Sequence, residues 1–465
     1  MGCCNRGCGF LAGAAFGAVL AILGGVLIPL GDSIIEGTVK KEAVIENGTT
    51  AYENWETTGS AVYRQFWFLE VKNPQEVLDG GTPVVQEKGP YTYRTRYLPK
   101  QDIRFNPNQT VSYVQPLGAI FEPSMSVGSE EDKVTSLNLG VVGAFKLLPP
   151  KILNVLIKRT NSSLFQRRTV REMLWGYKDP IFKFLVGVFV PYNGSVDGNY
   201  TIYNGKDDIS KVGIIDRWRG ETSLPFWNDT YCDMINGTDA SSFPPFVNNE
   251  KPLFFYSSDI CRSVSATFER TVNVKGIDMF HFTLNPSTLA SPTVNPDNRC
   301  FCPDPKVSKN CTLAGVLDIS ACQDGKPIYI SLPHFLHGSP SLREDVLGLN
   351  PSEEHHNTFL DVEPITGFTM KFAKRIQVNM MYGPSKDITI FNKVKDYTVF
   401  PIVWLNETAE LDDETADMFK SEITGRIQIL KTLQMVLLGV GLATFVICLI
   451  CYCVVRSRNN KSATV

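Results

Sequence analysis

The chain has no surplus of charge of either sign. Of its 465 residues, 45 are Lys or Arg and 48 are Asp or Glu, which leaves a net charge of −3. That balance argues against a nucleic-acid-binding protein, which needs a basic excess. Charged residues are only 20% and hydrophobic residues 43%, too apolar and too weakly charged for a disordered chain. Collagen-like and coiled-coil compositions are equally excluded. Histidine is scarce, with five in the chain. The densest group of possible metal ligands, Glu353-Glu354-His355-His356, follows Pro351 and reads as a solvated turn rather than a metal site. There is no Walker loop, dinucleotide glycine fingerprint, zinc-protease helix motif or nucleophile elbow. Nothing therefore points to an enzyme or a bound cofactor.

Two stretches lack charge altogether. Residues 9–31 and 433–455 each run 23 positions without an acid or a base, long enough to cross a bilayer core as helix, which takes about 20 residues. The first exceeds the apolar run of a cleaved signal, about 7–15 residues, and reads as an uncleaved anchor that stops near Pro29. The expected layout is a tail at 1–8, a span at 9–31, an ectodomain at 32–432, a second span at 433–455 and a tail at 456–465. Arg456, Arg458 and Lys461 favour a cytoplasmic C-terminus. With two spans, the N-terminus lies on the same side. Gly9, Gly13, Gly17, Ala21 and Gly25 recur every four residues, a spacing that lets helices approach closely. The partner is either the second span or another molecule, as in a homo-oligomer.

Sequons and cysteines support this topology. Between the spans Asn-x-Ser/Thr occurs at Asn47, Asn108, Asn161, Asn193, Asn199, Asn228, Asn236, Asn310 and Asn406, against about three expected by chance. The excess suggests a glycosylated extracellular or luminal surface. Cys232, Cys261, Cys300, Cys302, Cys311 and Cys322 lie within 91 residues, which fits three disulfides in an oxidising compartment; their pairing is open at this point. The terminal cysteines hug the membrane, where S-palmitoylation is expected, or are small apolar residues at helix ends.

The ectodomain reads as rich in strand. Tyr91, Tyr93, Thr95 and Tyr97 alternate with Thr92, Arg94 and Arg96. In 372–380 apolar residues recur at every second position near the end, and 62–71, 272–284, 328–332 and 399–405 are rich in β-branched and aromatic residues, with Pro and Gly between them, which suggests an antiparallel sheet or barrel. Residues 137–185 differ. Thr169 with Glu172 forms a capping box, and Ile152, Val155 and Leu156 suit one helical face, so short helices are expected on either side of residue 160. This segment is also basic. Lys146, Lys151, Lys158, Arg159, Arg167, Arg168, Arg171, Lys178 and Lys183 face only Glu172 and Asp179 between 146 and 183, a local charge of +7. Bulky Leu147, Leu148, Phe165, Trp175, Phe182 and Phe184 are interleaved. Cations beside apolar surface suit an amphiphile with an anionic head, although a solvated helix face has the same composition.

Several segments together resemble the class B scavenger receptors. They are Asn73-Pro74-Gln75-Glu76-Val77, Lys88-Gly89-Pro90-Tyr91-Thr92-Tyr93-Arg94, Leu174-Trp175-Gly176-Tyr177-Lys178-Asp179-Pro180, Cys232-Asp233-Met234-Ile235-Asn236-Gly237-Thr238, Pro333-His334-Phe335-Leu336 and Leu360-Asp361-Val362-Glu363-Pro364-Ile365-Thr366-Gly367. The resemblance runs essentially the whole chain. It implies an α+β fold: two transmembrane helices flanking an ectodomain with an antiparallel β-barrel core, a helical apex at 137–185 and an internal hydrophobic tunnel. It implies disulfides Cys232–Cys300, Cys261–Cys322 and Cys302–Cys311, and acylation at Cys3, Cys8 and Cys453. Lys146, Lys151, Lys158, Arg159, Arg167, Arg168 and Arg171 become the ligand-binding cations. The implied partners are long-chain fatty acids, oxidised lipoproteins, anionic phospholipids and thrombospondin, at the plasma membrane with both termini cytoplasmic. The sequence departs from the family's pattern in three places. Arg159 stands where the family has a fatty-acid-reactive lysine. The stretch QDIRFNPNQ (101–109) replaces an acidic thrombospondin-binding run and keeps only Asp102. One tail acylation position is Val455, while Cys451 is an additional cysteine.

Overall fold

The computed structural model describes residues 6–57, 60–96, 99–306 and 308–462. The chain separates into two compact units. One contains the terminal helices with Lys275–Ile277; the other contains Ala43–Val274 and Asp278–Leu411.

In the first unit, Arg6–Glu42 and Gly425–Ser462 are helices of 37 and 38 residues. Both are long and apolar enough to cross a membrane, and a two-pass membrane protein fits them. The first helix does not stop at Pro29 but runs through it to Glu42. A membrane helix tolerates proline where a neighbouring helix supplies replacement polar contacts. The carbonyl that Pro29 leaves without its helical donor is that of Gly25, four residues earlier; nearby, the buried Gln434 side chain donates to the Leu27 carbonyl at 2.7 Å. The small-residue stripe packs on the second span. Gly13 faces Cys448, Gly17 faces Gly441 and Phe445, Gly24 faces Leu438, and Gly31 faces Gln434, while Gly441 packs on Ala21. Gly9 and Gly25 meet nothing. Three members of the four-residue repeat, Gly13, Gly17 and Ala21, thus lie against the second span, and from Gly17 onward Gly24 and Gly31 continue the contact at a seven-residue spacing, the period of a left-handed helix pair. The second span is the partner that this stripe meets within the chain.

The second unit is built on an antiparallel sheet of 11 strands. Its main path runs Leu253–Ser257, Arg262–Val274, Ile277–Leu284, Phe359–Val362, Thr369–Tyr382, Thr398–Glu410, Tyr63–Val71, Val85–Thr95, Ala119–Phe121. Alternation places Phe66, Phe68, Tyr91 and Tyr93 in the core. The stretch 272–284 is not one strand: Lys275 and Gly276 both take positive φ, +53° and +84°, and turn a hairpin between Val274 and Ile277, as tight two-residue hairpin loops require.

Among the described residues the path does not close into a barrel. One edge of the 14-residue strand Thr369–Tyr382 is shared by two short strands, Phe359–Val362 along its first half and Ile328–Ser331 along its second. The sheet therefore branches, and its end strands have five and three residues. A second sheet of four strands orders Ile215–Trp218, Val196–Tyr203, Thr110–Pro116 and Gln101–Asn106. Disulfides Cys232–Cys300, Cys261–Cys322 and Cys302–Cys311 staple the region between Cys232 and Cys322. From Pro286 to Cys322 it contains little beyond short 3-10 turns and one two-residue strand.

Candidate functional site

The basic segment folds into helices Leu139–Leu147, Pro150–Thr160 and Val170–Trp175, with the strand Phe165–Thr169 between the last two. Each boundary has a local cause. Pro150 opens its helix at the first turn, where the missing N–H costs nothing. Asn161 closes it in the left-handed conformation at φ +50°, as asparagine tolerates. Thr169 and Glu172 form the expected capping box at 3.1 and 3.0 Å.

The Pro150–Thr160 helix buries Leu153 and Ile157, and Asn154 Oδ1 accepts from the Thr389 N–H and hydroxyl at 3.0 and 3.1 Å. That docking reverses the expected apolar face. Ile152 and Val155 point outward, 53% and 62% exposed. Lys151, Lys158 and Arg159 are exposed on the same helix. Residues three, four and seven apart share a helical face, so one exposed stripe carries cations at both ends and aliphatic surface between them. Lys158 and Arg159 occupy the last turn, where the helix dipole favours positive charge.

The remaining cations divide sharply. Lys146 is held by Asp304 at 2.8 Å. Arg168 lies 4.2 Å from the Tyr177 ring and pairs with Glu172 at 3.4 Å. Arg171 pairs with Glu130 and Glu131 at 3.4 and 3.6 Å. Lys151, Lys158, Arg159, Arg167, Lys178 and Lys183 are exposed and form no ion pair among the described residues. A second cationic and apolar tip arises nearby in sequence. Buried Asp179 accepts from the Ile181 and Phe182 N–H groups at 2.8 and 3.0 Å, and the turn it fixes presents Lys183, Phe184 and Leu185 to solvent.

A different polar cluster lies in the sheet. His334 and His356 stack 4.4 Å apart at 9°, and His334 Nε2 lies 2.7 Å from Glu87 Oε2, which also accepts from Trp404 Nε1 at 2.8 Å. His356 is therefore buried and packed, not part of a solvated turn. The expectation failed because Glu87 and Trp404, its surroundings, lie far from it in sequence. One ligating atom from each of Glu87, His334 and His356 lies within 4.8 Å of the others, close enough to suggest a metal.

The polarity is wrong for one. Asn350 N–H donates to His334 Nδ1 and Ser352 N–H to His356 Nδ1, each at 3.0 Å. A ring nitrogen that accepts carries no proton, so each Nε2 holds it and has no lone pair for a metal; a metal-bound histidine donates from its other nitrogen instead. With Nδ1 accepting in both rings, each Nε2 is placed as a donor rather than as a free ligand atom. Burial, with His334 alongside, pushes the His356 pKa down to about 4. Burial works against the charge of Glu87, but hydrogen bonds from His334 and Trp404 outweigh it and hold its pKa below the usual carboxylate range. The other three-ligand group, Asp229 with Cys232 and Cys300, has its sulfurs committed to a disulfide.

The CD36 family model matches residues 15–452. The chain belongs to the CD36 family. Scavenger receptor class B member 1 of Rattus norvegicus is 33% identical over 444 residues, covering 91% of this chain and 86% of that protein. Lysosome membrane protein 2 of Homo sapiens is 35% identical over 424 residues, covering 88% and 87%. The Mus musculus protein of the same name is 36% identical over 406 residues, covering 84% and 83%. These relatives make the chain a class B scavenger receptor family member along nearly its whole length.

In this CD36-family chain, Asn47, Asn108, Asn161, Asn193, Asn199, Asn228 and Asn310 are exposed, while Asn236 and Asn406 are half-buried. Asn406 lies within a strand, and its side-chain amide donates to Gln65 at 3.1 Å. Cys8 and Cys453 are exposed free thiols and Cys451 is half-buried; Cys3 lies outside the described residues.

Proposed function

We infer that this protein is a two-pass plasma-membrane scavenger receptor that captures anionic lipids and delivers them to the bilayer without chemistry. Both tails face the cytoplasm in this reading. The ectodomain carries N-glycans at its exposed sequons, and Cys3, Cys8 and Cys453 are acylated. Long-chain fatty acids, oxidised lipoproteins and oxidised phospholipids are the proposed ligands. Membership of the CD36 family supports the lipid-receptor role.

One observation carries the mechanism: the outward stripe on Pro150–Thr160, where Lys151, Lys158 and Arg159 flank exposed Ile152 and Val155. Unpaired cations concentrate anionic amphiphiles at the surface. The acyl chain first lies against the aliphatic stripe, then passes into an apolar tunnel through the sheet-rich unit. Each CH2 removed from water contributes about 0.8 kcal/mol. Arg159, unlike a lysine, holds a carboxylate by a planar two-point contact and cannot be acylated as an amine.

The full-length protein in nanodiscs should bind oleate at least about tenfold more tightly than oleyl alcohol, because a charged head gains more from these cations than a neutral one. Equal affinity for the two would leave the cations without a role and overturn the reading.

A further inference from the structure

A cavity of about 40 Å³ lies in the disulfide-stapled region and is lined in part by Arg262, Thr288, Leu289, Phe301, Leu313 and Tyr329. Arg262 is 5% exposed. Its Nε donates to the Ser263 carbonyl at 3.3 Å, and its terminal nitrogens donate to the Thr288 carbonyl at 2.9 Å and to Asn298 Oδ1 at 3.4 Å. The guanidinium lies 4.0 Å from the Phe301 ring centre. Three of its N–H groups are thus used, and the others have no acceptor among the described residues. No carboxylate forms an ion pair with it among them either. A buried cation without a counter-charge is costly, and burial pushes the Arg262 pKa down to about 10.

The acids that also line the cavity have their own donors. Asp304 is paired with Lys146 at 2.8 Å. Asp318 accepts from the Ser320 N–H at 2.9 Å and from the Tyr329 hydroxyl. The arginine is therefore the charge left to be matched. The volume suits a few waters or one small organic anion, and the Leu289, Leu313 and Phe301 walls favour an anion with a short apolar end.

We propose that this cavity is a binding site for a short-chain carboxylate, which ion-pairs with Arg262 and places its alkyl end against Leu289 and Leu313. The site is distinct from the lipid-capturing stripe in ligand size: it is too small for a long acyl chain. A planar carboxylate can take two parallel N–H bonds from a guanidinium, which is what the unused donors offer.

Titration calorimetry of the full-length protein in nanodiscs, with sodium propionate as probe and propanol as neutral control, tests this. Saturable propionate binding that propanol does not reproduce is expected. Arg262→Gln should weaken it about tenfold or more, the loss of a charge-assisted bond. Leu313→Phe fills the cavity without touching the charge and should also abolish binding, so the test survives misfolding of the arginine variant. Lys158→Gln with Arg159→Gln should leave propionate binding unchanged, which separates this site from the stripe. Binding retained in both cavity variants, equal binding of propanol, or no saturable binding at all would overturn the assignment, the last meaning a water-filled cavity only.

Discussion

Neutralising Lys151, Lys158 and Arg159 together, each to glutamine, should cost the receptor most of its affinity for anionic lipid. A basic residue near an anionic lipid surface contributes about 1 kcal/mol. Three of them give a loss of roughly 30- to 150-fold. Glutamine is a good helix former, and among the described residues none of the three side chains has a hydrogen bond or ion pair to lose, so the helix should stay intact. The effect should fade with salt, because the screening length falls from about 8 Å near 0.15 M to about 3 Å at 1 M. Lys146→Gln serves as the contrast: its charge is matched by Asp304 at 2.8 Å, and lipid affinity should hardly change. Surface binding measured from low to high salt checks both. A flat salt dependence with unchanged affinity in the triple variant would remove the stripe from the mechanism.

The second large effect is on stability and comes from the stacked histidines. The folded protein holds His356 neutral with a pKa near 4, against about 6.5 in an unfolded chain. The unfolded state therefore binds the proton first as pH falls. Stability from this group is fully present above pH 6.5 and is lost progressively between about 6.5 and 4. The groups that act on His356 are His334, Glu87, Arg375 and His355, and only Glu87 favours its charge. A proton added to Nδ1 would point at the Ser352 N–H that now donates to it. The expected loss by pH 4 is about 2 kcal/mol after a discount for solvent reaching the ring.

His356→Asn keeps an acceptor near the Nδ1 position and cannot titrate, so it should flatten this part of the pH profile. Denaturant unfolding of both proteins at pH 7.4 and 4.5, followed by tryptophan fluorescence, measures the difference. A variant as acid-sensitive as the parent would show that His356 does not carry the effect.

Elements set by neighbouring residues could be read from the sequence, and those set by distant ones could not. The strands around Tyr91 and Phe66 follow from period-two alternation, and the Thr169–Glu172 box sits within one turn. The family segments, spread along the chain, carry the class of receptor in the sequence itself. Helical periodicity located Pro150–Thr160 but chose the wrong face, because the helix docks through distant contacts such as that of Asn154 with Thr389, 235 residues away. His334 and Glu87 meet across 247 residues, which no local pattern encodes. The Lys275-Gly276 turn was missed because strand-forming residues continue on both sides of it. The glycine repeat is visible in the sequence, but a four-residue spacing drifts around a helix, so its middle members Gly13, Gly17 and Ala21 meet the second span while Gly9 and Gly25 do not, and Gly24 and Gly31 continue the contact. The open, branched sheet depends on which short strands share the edge of Thr369–Tyr382, a choice made by tertiary packing.

The most direct measurement is photo-crosslinking of the full-length protein in nanodiscs with a diazirine-bearing palmitate, followed by peptide mass spectrometry. The account predicts labelling concentrated between residues 147 and 185, strongest on the Pro150–Thr160 helix and reduced by high salt. Labelling confined to other surfaces, with that helix untouched, would contradict it.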